Sequence, residues 1–225
     1  ITSLHLAIQR EIGLVTFYGP TLSRLTPLAE AGPGADVSLS GVSASADDRA
    51  TLASFLAVLR GGMTGITGGS RRTLVSGQAQ GQLTGGCLSL VVASLGTPWE
   101  IETEDRILFL EDVGEEPYRI DRMLTQLRLA GKLEAAAGII IGECVRCDPR
   151  GSFPYGTLSL DDVLRECLVP LGLPTVYGLS IGHGRRLLTL PYGVRATLDA
   201  DQGTLQVLEE PVLTPSGPRS ELTSG

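Results

Sequence analysis

The strongest constraint on the fold is a wholly apolar run that is followed by a helical pattern and then by a second apolar run. Residues 106–110 are typical of a buried strand, and residues 138–142 are typical of another. Between them, a helix is predicted to begin at Pro117 and to end at Gly131. Because strands alternate with helices here, we expect an α/β fold.

Other segments extend this alternation in both directions along the chain. Helical spacing predicts helices over residues 1–12, 48–59 and 161–168, and glycines 85 and 86 are expected to open a short helix. Strands are predicted at 14–18, 72–77, 175–179, 186–190, 194–198 and 204–208, and residues 201–203 are expected to turn the chain back into 204–208 as a hairpin. Asp47 or Asp48 is expected to cap the second helix, and His5 is expected to be a packing or surface residue of the first.

Composition excludes several classes of function. The chain has 225 residues, a net charge of −7 and only 4% aromatic residues. A general binder of nucleic acid or of anionic membranes needs a basic face, and base-stacking surfaces need aromatic side chains. No stretch reaches the ~18 apolar residues of a membrane span. We therefore expect neither nucleic-acid nor membrane partners.

The four cysteines are too sparse for a disulfide scaffold; they are Cys87, Cys144, Cys147 and Cys167. Cys144 and Cys147 form one half of a zinc ribbon, but the second half is missing from the sequence. A metal site at this pair is one interpretation, and ordinary thiols in a reducing compartment are the other. We expect no metal and no cofactor.

Two groups of residues are suited to chemistry. Glu111 and Asp112 end the apolar strand, where ligand sites of α/β sheets are usually built. His183 lies between two glycines on a loop and could act as a general base. Alternatively, Asp112 or Glu115 caps the next helix, Glu111 is solvated and His183 is a surface residue.

Glu111 and His183 could form the acid and base of a Ser–His–Glu relay, in which Glu orients the imidazole and His takes a proton from a nucleophile. Such a relay needs a nucleophile on a sharp turn from a strand into a helix. The first helix starts abruptly at Ile1, with no earlier residue to cap it. We expect that the natural beginning of this helix, and the nucleophile, precede Ile1.

Several motifs follow one another in a recognisable order between Ile1 and about Asp199. They are Ile1-Thr2-x-Leu4-His5, Gly85-Gly86-x-Leu88, Gly96-Thr97-Pro98, Ile107-Leu108-Phe109-Leu110-Glu111-Asp112, Tyr118-Arg119-Ile120-Asp121-Arg122-Met123-Leu124, Gly182-His183-Gly184 and Thr189-Leu190-Pro191-x-Gly193. Together they resemble the LD-carboxypeptidase family of serine peptidases, which includes the murein tetrapeptide carboxypeptidases and the microcin-immunity peptidases.

The resemblance assigns roles to individual residues. It implies that Glu111 is the catalytic Glu and His183 the catalytic His, and that the nucleophilic Ser lies two residues before Ile1. Substrate-binding residues stay unassigned, and no metal is implied. The chain departs from the family where Tyr18-Gly19-Pro20 replaces a frequent His-Gly-Pro and where Cys87 replaces a frequent Asn.

The resemblance also implies an architecture. Residues 1–62 would end a Rossmann-like nucleophile domain, and residues 72–210 would form a smaller, swivelling β/α C-terminal domain that carries Glu and His. Residues 63–71, rich in Gly, Ser and Thr, read as the linker between them, and residues 211–225 read as a flexible tail.

The implied activity is that of a cytoplasmic serine carboxypeptidase, which removes the terminal D-alanine from murein tetrapeptide during peptidoglycan recycling. Its partner would be the murein peptide, and a homodimer is possible for the family. One alternative is an immunity-type peptidase that hydrolyses a peptidyl or aminoacyl nucleotide amide, with Trp99 near the cleft to stack on the base. Another is an inactive fragment or binding module that lacks the nucleophile.

Overall fold

Helices and strands alternate through much of the chain, as the sequence predicts. The structure, a computed structural model, describes residues 1–21, 25, 45–61, 65–66, 71–151 and 157–212. Its helices are α1 (Thr2–Ile12), α2 (Ala46–Leu59), α3 (Leu88–Ala93), α4 (Pro117–Leu129) and α5 (Leu160–Leu168). Its strands are β1 (Thr16–Tyr18), β2 (Arg72–Val75), β3 (Gln78–Cys87), β4 (Arg106–Glu111), β5 (Gly138–Glu143), β6 (Thr175–Gly182), β7 (Leu190–Tyr192), β8 (Arg195–Asp199) and β9 (Thr204–Val207).

A seven-stranded sheet organises the described part of the chain, in the order β2-β6-β5-β4-β3-β8-β9. The four central strands β6, β5, β4 and β3 are parallel, and helices α3, α4 and α5 connect them. Parallel strands end at the same edge of a sheet, so Cys87, Glu111, Glu143 and Gly182 lie side by side at one edge. The α/β prediction is confirmed, and this edge carries the candidate site.

The predicted strand at 186–190 is wrong, because only Leu190 of that range lies in a strand. Strand β8 begins at Arg195 and pairs with β3 on one side and β9 on the other. The residues before it instead form β7, which pairs with β1 through Tyr18 and Leu190. The predicted turn from β8 back into β9 is confirmed.

Strand β3 is missing from the sequence prediction, which placed a helix start at Gly85 and Gly86. Its Gln- and Gly-rich sequence has low strand propensity. Gly85 has φ +142°, and a Cβ atom there would overlap the backbone of Phe109 on β4. Glycine is therefore required for the two strands to approach, and α3 begins only at Leu88.

The helix termini follow the predicted chemistry with one change. Helix α1 ends at Gly13, which adopts the left-handed conformation with φ +63°. The residue that caps α2 is Ser45 rather than Asp47 or Asp48, and Asp48 completes a capping box with it. The buried face of α1 also differs, because Leu4 and Ile12 are exposed whereas Thr2, His5 and Leu6 are buried.

The proposed domain boundaries stay a prediction. Within the predicted linker the structure describes Gly65, Ile66 and Arg71, and Ile66 is buried and pairs with Leu205. Of the predicted tail, only Pro211 and Val212 are described, and the rest lies outside the described residues. Every helix among the described residues is too short or too polar to cross a bilayer.

Candidate functional site

Glu111 and His183 meet at the edge where the parallel strands end. Glu111 is the last residue of β4, and His183 directly follows β6. His183 Nδ1 lies 2.7 Å from Glu111 Oε2. Glu111 is 1% exposed, whereas 47% of the His183 side chain is exposed. A carboxylate at this position holds the proton on Nδ1, so that Nε2 carries the lone pair that a general base needs.

Tyr18 supplies a second hydrogen bond to the same carboxylate. Its hydroxyl donates to Glu111 Oε1 at 2.5 Å, and its ring packs edge-on against Phe109 with centroids 5.4 Å apart. Burial, together with the neighbouring Glu111, raises the pKa of Tyr18 above its ordinary value, so the phenol remains a donor. Both oxygens of the buried carboxylate are therefore hydrogen-bonded.

This role of Tyr18 is not predicted from the sequence, in which the residue is only a departure from the family's His-Gly-Pro. The sequence does contain one indication of this role, which is the hydrogen-bonding capacity of the side chain. The His that often occupies this position in the family is also a hydrogen-bond donor, and Tyr18 retains that capacity. Only the pairing of β1 with β7, close to the end of β4, brings its hydroxyl to Glu111.

Gly182 allows the carboxylate to sit against the backbone of β6. Its φ is +106°, and a Cβ atom there would lie 2.5 Å from Glu111 Cγ. Real side chains do not tolerate such a contact, and the conformation itself disfavours L-residues. The glycine before His183 therefore makes room for Glu111.

Asp112 has a structural role in this arrangement. Its Oδ2 accepts from the backbone N–H of Ser89 at 2.8 Å, and its Oδ1 accepts from the N–H of Val113 at 2.8 Å. It therefore caps α3, the preceding helix, rather than the next one. Glu115 pairs with Arg119 at 3.5 Å on the protein surface.

The first turn of α1 lies against the same strand ends. Thr2 is fully buried, and its Oγ1 accepts from the backbone N–H of Cys87 at 3.1 Å. Cys87 is paired in register with Glu111 across β3 and β4. The start of α1 is thus beside the Glu111–His183 pair, as the relay hypothesis requires.

His5 and Trp99 lie outside this pair. His5 is buried between Tyr18 and Tyr192, and its Nδ1 lies 2.7 Å from Thr16 Oγ1, which confirms a packing role. Trp99 donates to Glu11 Oε1 at 3.0 Å, near the C-terminal end of α1. Glu11 is nine residues after Thr2, or roughly 14 Å along the helix, so Trp99 is distant from the strand ends.

The cysteines do not form a metal centre in the part of the chain that the structure describes. All four are free thiols. No cluster of three or more His, Cys, Asp or Glu residues among the described residues is arranged to hold an ion.

Comparisons with known proteins agree with this architecture. The profile of the LD-carboxypeptidase C-terminal domain matches residues 80–198. A probable murein peptide carboxypeptidase of Bacillus subtilis is 38% identical over 204 residues, which cover 91% of this chain and 59% of that protein. The microcin C7 self-immunity protein MccF of Escherichia coli is 27% identical over 240 residues, which cover 93% of this chain and 63% of that protein.

Among solved structures, the muramoyltetrapeptide carboxypeptidase of Oxalobacter formigenes matches with a TM-score of 0.69 at 29% identity. That match covers 92% of this chain and 65% of the other. The chain therefore spans about three fifths of the length of the first curated relatives it matches.

Proposed function

The chain belongs to the LD-carboxypeptidase family, and we propose that it carries the general base and the orienting carboxylate of a serine LD-carboxypeptidase. One observation carries the proposal. The buried Glu111 carboxylate holds the half-exposed imidazole of His183 at 2.7 Å, beside the first turn of α1. The nucleophile of the whole protein would be a serine that precedes Ile1.

The proposed reaction is an acyl transfer in two steps. The serine hydroxyl attacks the amide carbonyl between an L-centre and a terminal D-alanine, and His183 Nε2 takes its proton. The tetrahedral intermediate collapses, and His183 returns the proton to the amine of the leaving D-alanine. Water then attacks the acyl-enzyme with the same base, which releases the shortened peptide and the free serine.

Glu111 contributes by position and by charge. Its hydrogen bond to Nδ1 fixes the tautomer of His183, and its negative charge stabilises the imidazolium that forms when Nε2 takes the proton. The burial of Glu111 keeps bulk water from weakening this interaction. The Tyr18 hydroxyl holds the other carboxylate oxygen and so limits rotation of the carboxylate.

Murein tetrapeptide is the proposed substrate, and the cytoplasm, where recycled peptides are processed, is the proposed location. The relative from Bacillus subtilis is named a probable murein peptide carboxypeptidase. The structure from Oxalobacter formigenes is that of a muramoyltetrapeptide carboxypeptidase.

The test uses the full-length protein with Glu111→Ala and His183→Ala. Each should lower the kcat for release of D-alanine from murein tetrapeptide on the order of 10³-fold. Glu115→Ala is the matched control, because this carboxylate follows the same strand but pairs with Arg119 at 3.5 Å on the protein surface. If both relay variants cleave at the wild-type rate, or if Glu115→Ala loses as much, the assignment is wrong.

Two further measurements separate the alternatives. Competition between murein tetrapeptide and an aminoacyl-sulfamoyl adenylate compares the carboxypeptidase with an immunity-type peptidase. The position of Trp99, far from the strand ends, favours the murein peptide. Labelling of the full-length protein with a serine-directed phosphonate would distinguish an enzyme from an inactive binding module, because only an activated serine reacts.

A further inference from the structure

Cys144 and Cys147 lie on a tight turn that directly follows β5. Arg146, between them, adopts the left-handed conformation with φ +57°. A four-residue turn brings its first and fourth Cα atoms within about 7 Å, and disulfides span Cα separations of up to about 6.8 Å. The backbone therefore holds the two cysteines in a range that a disulfide can bridge.

The two thiols influence each other directly. The pKa of Cys144 is raised well above its ordinary value, mainly by its hydrogen bond with Cys147. Burial of the thiol raises this pKa further. A hydrogen bond from Cys144, with smaller contributions from the backbone N–H groups of Glu115 and Gly114, lowers the pKa of Cys147. The thiols are thus neighbours, and Cys147 is the one that more readily loses its proton.

The two thiols differ in their exposure to solvent. Cys144 is partly exposed and lines a cavity of about 490 Å³ together with Glu143 and Tyr177. Cys147 is only 1% exposed. A small disulfide can reach Cys144 from the cavity, whereas Cys147 can react only with its neighbour.

Backbone hydrogen bonds join this turn to the segment that follows Glu111. The backbone N–H of Val145 donates to Asp112 O at 3.1 Å, and the N–H of Gly114 donates to Val145 O at 2.8 Å. The Cys147 thiol is also 3.8 Å from Asp112 O, within the range of a weak S–H hydrogen bond. A change at this cysteine pair therefore acts one residue away from the candidate relay.

We propose that Cys144 and Cys147 are a reversible thiol–disulfide modification site for low-molecular-weight disulfides of the glutathione type. Cys144 passes its proton to the neighbouring Cys147 thiolate as its sulfur attacks one sulfur of the disulfide, which forms a mixed disulfide and expels one small thiolate; that thiolate takes the proton from Cys147. The Cys147 thiolate then attacks Cys144 Sγ and expels the second. The two protein thiols are oxidised to a disulfide, the small disulfide is reduced to two thiols, and the two protons pass to the leaving groups.

Oxidation would change the contacts of the cysteine turn with Asp112, the residue next to Glu111. The disulfide removes the S–H group that Cys147 directs at Asp112 O, and it fixes the turn that Val145 ties to the same carbonyl. This inference does not depend on the reaction proposed above, because it concerns only the cysteine pair and its backbone contacts.

The experiment treats the reduced full-length protein with oxidised glutathione, blocks remaining thiols with iodoacetamide and measures intact mass and peptide maps. We expect a product about 2 Da lighter before blocking, with a peptide cross-link between residues 144 and 147, that is reversed by dithiothreitol. Alkylation of all four cysteines after this treatment would overturn the proposal, as would a persistent mixed disulfide on Cys144.

Variants assign the two steps. Cys147→Ser should stop at the mixed disulfide and gain about 305 Da, and Cys144→Ser should form neither product. Cys87→Ser and Cys167→Ser are matched controls, which should form the cross-link like the wild type. The pKa of both thiols is raised, mainly by burial, and that of Cys167 reaches about 11. Neither thiol is therefore readily converted to the reactive thiolate. A cross-link that involves Cys87 or Cys167 would contradict the assignment.

Discussion

Tyr18 and Glu111 are 93 positions apart in the sequence and are joined by a buried hydrogen bond of 2.5 Å. Tyr18 ends β1 in the two-stranded β1–β7 pair, and Glu111 ends β4 in the seven-stranded sheet. This bond connects the two sheets at the candidate site. It therefore couples the orientation of the carboxylate to the packing of the segment that contains α1 and β1.

Tyr18→Phe should lower kcat/KM for murein tetrapeptide in the full-length protein by at least about tenfold, because a hydrogen bond to a charged group contributes about 1.5–3 kcal/mol. The ring would still pack against Phe109, so the fold should be retained. Tyr192→Phe is the control, since its hydroxyl contacts Thr84 and Gly85 instead. Equal rates for Tyr18→Phe and the wild type would show that this contact does not position Glu111.

Gly182→Ala should destabilise the protein and displace the Glu111 side chain. The new Cβ atom would lie 2.5 Å from Glu111 Cγ at a backbone φ of +106°. Urea unfolding would measure the loss of stability, and D-alanine release would measure the loss of activity. At Gly172, where φ is +68° and nothing lies within 4 Å, Ala should cost only about 1 kcal/mol and leave activity unchanged.

Folding stability should fall as the pH drops below 6.5, in part because of His5. Burial lowers the pKa of His5 in the folded state below its ordinary value of 6.5. The unfolded chain then binds the proton more readily, so the contribution is intact above pH 6.5 and is lost as the pH falls through the lowered pKa.

The measurement is urea unfolding of the wild type and of His5→Gln between about pH 5 and pH 8. The carboxylates titrate in both proteins, so the difference between the two curves isolates His5. His5→Gln should show a flatter dependence below pH 6.5. Parallel curves would contradict the assignment.

Ser159→Ala should lower the free energy of unfolding by about 1 kcal/mol through the loss of a capping box. Ser159 Oγ accepts from the N–H of Asp162 at 3.2 Å, and Asp162 Oδ2 accepts from the N–H of Ser159 at 2.9 Å. Denaturant titration would detect the change. Ser159→Thr retains the side-chain oxygen and should be close to the wild type, so an equal loss in both would rule out capping as the cause.

Elements with a strong local pattern could be predicted from the sequence. Residues 106–111 are an almost wholly apolar run, whereas 117–129 and 138–143 combine helical spacing or an apolar run with a Pro or Gly at the boundary, and each forms the expected element. Strand β3 was missed because its glycines reduce local strand propensity, although contact with β4 requires one of them, Gly85. The strand predicted at 186–190 is wrong because only Leu190 of that range pairs with another strand, and its partner, Tyr18, is distant in the sequence.

The sequence alone determined which groups are available: a carboxylate at the end of an apolar strand, an imidazole between glycines, and the motifs that mark the family. The tertiary structure decided which of them meet. Glu111 and His183 are 72 positions apart and come within 2.7 Å because the order of parallel strands aligns their ends. Strand order depends on the long-range packing of the whole sheet, and no local pattern encodes it.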